Sequence, residues 1–191
     1  MGRRHCIRCG AAPLSGCKSP VLGYSESPTT GRMEVTMIAM SVQNYLNEMQ
    51  IPYDLVYHDR TMSSMRTAEA AHVPARRIAK AVLLEDGGSY LMAVLPADRH
   101  VNLNMLREQL GRQIDLARER EVMEVFGDCD LGAIPCTGKP YGVDMIVDDE
   151  LLEQPEVFFE AGSHEDLVRM RREHFMKMFA DTPHWHFGRT H

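Results

Sequence analysis

No apolar run in this 191-residue chain approaches the roughly 18–20 residues that a bilayer-crossing helix needs. The opening Met1-Gly2-Arg3-Arg4-His5-Cys6 is basic, but the apolar core of about 7–15 residues that would make it a secretory signal does not follow. No membrane partner is expected, and the cytoplasm is the expected compartment. Basic charge is scarce as well. Net charge is −6, and residues 1–36 hold five Lys/Arg against two Glu. With that +3 set against the total, residues 37–191 are left with −9. An acidic body argues against a protein that coats nucleic acid non-specifically through phosphate neutralisation. It leaves room for a local basic pocket from Arg76, Arg77, Lys80, Arg99 and Lys139. Cysteines number five, an odd count that reads as reduced thiols in a chain without an export signal. Cys6-Ile7-Arg8-Cys9, with Cys17 and His5, has the spacing of half a zinc site, but no second close pair follows. A solvated segment is the expected reading, and no metal is expected. Tryptophan occurs once, in His184-Trp185-His186-Phe187. There the two histidines lack a carboxylate or thiol to complete a ligand set, and a surface tail packing one aromatic is expected.

What is present is ordinary for a globular domain, at 44% hydrophobic and 25% charged residues. Residues 1–36, rich in Gly, Ser, Pro and Thr and without apolar periodicity, read as a disordered tail. Met33, Met37 and Met40 stand just before the first helix, so the natural start is expected downstream of Met1. One domain is expected over 37–180, with a C-terminal tail over 181–191. Val42, Tyr45, Leu46 and Met49 recur at helical spacing, with Ser41 as a candidate cap. Tyr53–His58 alternates like a strand, and Arg66–Ala71 favours a helix. Ala81–Glu85 and Ser89–Pro96 flank Asp86-Gly87-Gly88, a strong hairpin signal. Asn102 or Asn104 can cap a helix carrying Leu103, Leu106 and Leu110, and Glu119–Phe126 is a short helix with Val122, Val125 and Phe126 inward. Tyr141–Val147, Glu156–Ala161 and 167–170 read as strands, with a helical turn after Asp148 and a last helix over Glu173–Phe179. Met105, Met145, Met170, Met176 and Met178 fall at apolar positions and read as core filler. Strands and helices mix without a regular βαβ rhythm. The expected fold is therefore a mixed α/β, barrel-like sheet of six or seven strands flanked by short helices, with no internal repeat.

Lys80 is the leading chemical candidate, a lone cation at the head of the apolar run Ala79–Leu84. Gly132-Ala133-Ile134-Pro135-Cys136-Thr137-Gly138, some fifty residues on, is too rich in Gly and Pro for a helix or regular strand. A strand-anchored ammonium facing such a loop suits the holding of an anion and a neighbouring carbonyl. A solvent-facing strand-end lysine and a purely structural turn are the plain alternatives. Cys136 is a conceivable nucleophile, paired with His164, although a small buried thiol explains it more simply. Asp148 either steadies Lys80 or the loop, or caps a helix. His58 stands near a plausible pocket rim, and His164 reads more readily as a packing or capping residue.

In order and spacing the chain resembles the YbaK/prolyl-tRNA synthetase editing-domain family over roughly residues 41–180. The matching pieces are His58 after a first strand, Thr67-Ala68-Glu69-Ala70-Ala71, Ile78-Ala79-Lys80, Leu95-Pro96-Ala97-Asp98, Asp128-Cys129-Asp130-Leu131-Gly132-Ala133-Ile134-Pro135, the strand ending in Asp148, and Phe159-Glu160-Ala161-Gly162-Ser163-His164. The resemblance implies a YbaK-like fold and hydrolysis of the ester joining an amino acid to the 3′ adenosine of tRNA, with no cofactor. It makes Lys80 the key residue and has the Gly132–Cys136 loop supply backbone groups near the scissile carbonyl. Catalytic roles are thus expected for Lys80, Gly132 and Ala133, and substrate contacts for His58, Ile134, Pro135, Cys136, Asp148, Gly162 and His164. Aminoacyl-tRNA is the implied partner, with an aminoacyl-tRNA synthetase as a secondary candidate. Family loops commonly read Gly-x-x-x-Pro, whereas here Cys136 holds the last position and Pro135 comes one earlier. A non-catalytic module holding tRNA ends, a nucleotide or a synthetase through the same pocket is the alternative. A hydrolase of another activated ester is a third.

Overall fold

The structure, a computed structural model, describes residues 38–190. The tail over 1–36 and the Cys6/Cys9/Cys17 grouping lie outside the described residues. Helix α1 (Met40–Glu48) buries Val42 and Leu46. It does not use Ser41 as a side-chain cap: the helix starts one residue earlier, and the Ser41 N–H donates to Asp128 Oδ2 at 3.0 Å. A carboxylate from elsewhere in the chain thus serves the orphan amides at the helix start. Strand β1 (Asp54–Tyr57) and helix α2 (Ser64–Ala70, capped by the Ser63 hydroxyl) follow. The hairpin of β2 (Ala79–Asp86) and β3 (Ser89–Pro96) turns on Gly87 and Gly88, both at positive φ. A two-residue turn of that kind matches the right-handed twist of its strands.

The central sheet runs β5-β2-β3-β6, where β5 is Asp115–Leu116 and β6 is Asp144–Val147, and β6 lies parallel to β3. It is covered on both faces. Ala79, Leu83, Met92, Val94, Met145 and Val147 enter one cluster with α1 and Phe159. Leu84, Leu91, Ala93, Leu95 and Ile146 enter another with Leu106 and Phe187. Two-sided burial explains why these strands read as near-continuous apolar runs rather than alternating ones. A second sheet orders β1-β8-β7, where β7 is Glu156–Glu160 and β8 is Asp166–Arg171. The two sheets meet at a single parallel bridge, Ile78 to Phe158. A third pairs β4 (His100–Val101) with β9 (Gly188–Arg189). The fold is the expected mixed α/β one, but among the described residues the expected barrel-like sheet of six or seven strands is nine strands in three sheets, with no closed barrel. The short edge pairs carry no apolar run from which to read them. Among the described residues no helix is long and apolar enough to cross a membrane.

The remaining helices are α3 (Leu103–Leu110, capped by Asn102), α4 (Glu119–Val125), α5 (Asp149–Leu152) and α6 (Arg172–Met178). Strand β6 starts three residues later than Tyr141 because Lys139–Tyr141 forms a 3-10 turn, ended by Gly142 in the left-handed region. Met145, Met170 and Met178 are core residues, but Met105 and Met176 are exposed, on the outer faces of their helices. The segment expected as a C-terminal tail is fastened along its described length. Phe187 is fully buried, and the neighbouring residues pair with β4.

Candidate functional site

Lys80 pairs with Leu95 in the hairpin, and its Nζ donates to Ala97 O at 3.0 Å. It is half-buried. Desolvation lowers its pKa below the usual lysine range, and the nearby Asp98 carboxylate pulls the other way. An isolated parallel bridge joins Ile78, two residues before Lys80, to Phe158, two residues before Glu160. Among the described residues no hydrogen bond or ion pair links Lys80 to the 132–136 loop.

That loop is anchored through its backbone. Asp130 N–H donates to Gly162 O at 2.9 Å, Gly162 N–H to Ala133 O at 3.0 Å, and Ala133 N–H to Asp130 O at 3.0 Å. Both main-chain groups of Ala133 are therefore already engaged, which leaves its amide unable to serve as an added donor. The amides of Gly132 and Ile134 make no hydrogen bond among the described residues. Gly132 is solvent-exposed, at φ +90°. Gly162, at φ +108°, lies so close to Ala39 that a Cβ would come within 2.7 Å of it. Pro135 and Cys136 turn inward. Cys136 is 1% exposed within the main core cluster, and burial pushes its thiol well above the ordinary cysteine range. A protonated, enclosed thiol is a packing group rather than a nucleophile.

Beneath the loop lies a group of buried polar side chains centred on Glu160, which is 7% exposed. His164, in the β7–β8 turn, donates from Nε2 to Leu131 O at 2.8 Å, and its ring lies against Gly132. Its Nδ1 faces Glu160 Oε1 at 3.5 Å. Thr67 of α2 places Oγ1 3.0 Å from the same oxygen. His58, just after β1, is buried and close enough to act electrostatically on the Glu160 carboxyl. Burial raises the Glu160 pKa above the ordinary carboxylate range despite these neighbours. Glu160 and Thr67 were not among the expected site residues. The available signal was a lone carboxylate closing the apolar strand Val157-Phe158-Phe159-Glu160, directly before Ala161-Gly162.

The aminoacyl-tRNA editing domain model matches residues 58–178. The chain belongs to the aminoacyl-tRNA editing domain family. The chain is 30% identical over 82 residues to a proline–tRNA ligase of Thermosipho africanus (strain TCF52B), an alignment covering 42% of the chain and 15% of that ligase. The chain is also similar to the crystal structure of a candidate trans-editing enzyme for prolyl tRNA synthetase. The TM-score is 0.69 at 19% identity, over 79% of this chain and 96% of the other. A hypothetical protein of known structure gives 0.70 at 22% identity, over 78% and 99% of the respective chains. At such identities the structures speak for the fold.

The editing domain brings Gly132, Ala133, Gly162, His164 and His58 together around Glu160, and places Asp148 elsewhere. Asp148, 1% exposed, caps α5 through Glu150 N–H at 3.0 Å. Its other oxygen accepts from Phe187 N–H at 2.9 Å and Gly188 N–H at 2.7 Å. It therefore fastens the C-terminal segment to the end of β6. Arg99 adds a two-pronged bond to Glu150 beside it. His184, expected without a carboxylate partner, lies 2.6 Å from Asp149 Oδ1. Among the described residues no group of three His, Cys, Asp or Glu is placed to hold a metal ion. A cavity of about 430 Å³ lies between α2 and residues 72–75, lined by Met65, Ala68 and His72, and none of the candidate residues lines it.

Proposed function

We propose that this editing domain is a trans-acting deacylase that hydrolyses the ester of a mischarged aminoacyl-tRNA. The observation that carries the reading is an exposed, left-handed Gly132 turn with two uncommitted amides, in a chain of the editing-domain family. Water adds to the ester carbonyl carbon, and negative charge builds on the carbonyl oxygen. Gly132 and Ile134 N–H donate to that oxygen in place of Ala133. The bond to the ribose oxygen then breaks, the proton from water goes to that oxygen, and the free amino acid leaves. An aminoacyl ester is already activated, so oriented donors supply much of what the reaction needs; one such donor elsewhere is worth about 10²–10³ in rate. Lys80 anchors and orients the tRNA end. Its ammonium has three N–H groups and gives one to Ala97 O. A charged lysine is a poor base, so anchoring suits it better than proton abstraction. Similarity to the proline–tRNA ligase favours tRNA for proline as the first substrate class, with a synthetase as an occasional partner. His58, Ile134, Gly162 and His164 shape the surroundings of the ester, Pro135 and Cys136 back the loop from within, and no step calls on a cofactor.

The test is a deacylation panel over twenty amino acids, beginning with Ala-, Ser- and Cys-charged tRNA for proline. Lys80→Ala should lower kcat/KM at least about 10²-fold while circular dichroism stays unchanged. Absence of turnover across the panel refutes the enzyme. The engagement of Lys80 by Ala97 O, away from the loop, favours one other reading: a module that binds tRNA ends without hydrolysis. In that case Lys80→Ala weakens binding, and turnover is absent at every concentration. A free aminoacyl ester hydrolysed as fast as the tRNA ester would instead identify a general esterase.

A further inference from the structure

The buried group around Glu160 is short of hydrogens. Carbonyl oxygens only accept, so His58 Nδ1, 2.8 Å from Asp59 O, and His164 Nε2, 2.8 Å from Leu131 O, both carry hydrogen. The second nitrogen of each ring, His58 Nε2 and His164 Nδ1, is buried without a hydrogen-bond partner among the described residues. Thr67 has one hydroxyl hydrogen; Ser63 O already accepts from Thr67 N–H at 2.9 Å, so that hydrogen can go to Glu160 Oε1 at 3.0 Å, but the approach of His164 Nδ1 to the same oxygen at 3.5 Å is left without one. Thr61, 2.6 Å from Thr67, can add only one more. Were Glu160 ionised, a carboxylate would face bare imidazole nitrogen in a site closed to water, an arrangement that costs free energy on both sides. One further proton removes the conflict.

We propose that Glu160 keeps this proton beyond the pH at which an ordinary carboxyl loses it, sharing it with His164 Nδ1, and so acts as a positioning residue that keeps His164 fastened to Leu131 O and the Gly132 turn closed. The proton stays within the pair, as Oε1–H facing Nδ1 in one form and as a carboxylate facing Nδ1–H in the other. Where Leu131 O is released, the Gly132 amide loses its direction; the catalytic consequence rests on the deacylase reading, whereas the proton itself does not. Among the elements packed around Glu160, the titratable groups that face it are His58 and His164. Thr67 is neutral, and the Lys80 ammonium is turned to Ala97 O. The raised Glu160 pKa fits this placement. Its sign follows from linkage. The latch is complete below the ordinary carboxyl value of 4.5 and is lost as pH rises through the raised folded-state value.

The experiment is nuclear magnetic resonance of the isotope-labelled full chain, without tRNA, over a pH titration. The Glu160 carboxyl carbon should titrate well above 4.5, and the His164 Nδ1 resonance should move with it. Protection of the Ala133 and Gly162 amides, taken relative to intrinsic exchange at each pH, should fall about tenfold beyond the same midpoint, the effect of one lost hydrogen bond. Glu160→Gln keeps a neutral donor and should flatten that pH dependence with protection retained, while Glu160→Ala should lose protection at every pH. A Glu160 midpoint at or below 4.5, exchange indifferent to it, or a Glu160→Gln variant behaving like Glu160→Ala would each overturn the proposal. These signals come from uncharged protein, so a failed deacylation panel leaves them in place and the two failures are separable.

Discussion

Alanine at Gly132 and at Gly162, one at a time, separates backbone strain from collision. At Gly132 a Cβ would meet His164 Cε1 at 3.6 Å and Nε2 at 3.8 Å, ordinary van der Waals contact. The cost is then conformational, about 1–2 kcal/mol for an L-residue held in the left-handed region. At Gly162 the same strain applies at φ +108°, but the Cβ would also lie 2.7 Å from Ala39 Cβ and 2.9 Å from Ala39 N. That N–H donates to Ala161 O at 2.7 Å, so the collision falls on backbone that leads into α1. Overpacking adds about 1–3 kcal/mol, bringing Gly162→Ala to about 3–4 kcal/mol. At about 2–4 °C per kcal/mol for a domain of this size, Gly132→Ala should lower Tm by about 5 °C and Gly162→Ala by about 10 °C. Thermal melts followed by circular dichroism measure both. Gly132→Ala should also lose about 10²-fold in deacylation while folded, because its amide is re-aimed. Equal destabilisation of the two variants, or Gly132→Ala with wild-type turnover, would refute the reasoning.

Three further outcomes are expected. Because burial depresses the Lys80 pKa, wild-type stability should rise with pH between the folded-state value and 10.5. Lys80→Met should remove that slope, and thermal melts across the alkaline range check it. Asp148→Ala deletes the acceptor of three amides, two of them in the C-terminal segment. It should cost about 3 kcal/mol or more and open residues 182–190 to limited proteolysis. Cys136→Ala should cost about 1–2 kcal/mol as a small core cavity and leave deacylation near wild type. Loss of turnover by a folded Cys136→Ala protein would restore the thiol as a nucleophile.

Local chemistry was readable wherever one short segment decides its own conformation. Asp86-Gly87-Gly88 announced the hairpin, and Asn102 or Asn104 the start of α3, whereas the cap of Asp148 on α5 was one of two readings left open. Ser41 misled because the acceptor that serves the start of α1, Asp128, lies 87 residues away. Among the candidates, Lys80 and Gly132 could be named from the residues, since a lone cation and a Gly/Pro loop each stand out locally, whereas a substrate contact for His164 came only through the resemblance. Ala133 could not be judged, because the engagement of its amide depends on how the turn closes against Gly162.

The chain itself determined the types of the longer elements, the apolar character of β2 and β3, and the motif order that places it among editing domains. These follow from side-chain period and turn chemistry, which act over a few residues. Tertiary structure alone decided that Glu160 is shut away with Thr67 and two histidines, and that Asp148 grips the C-terminal segment. Contacts spanning 93 residues from Thr67 to Glu160, and 39 from Asp148 to Phe187, have no local signature. Whether a carboxylate meets water or an imidazole depends on which sheets come to lie side by side.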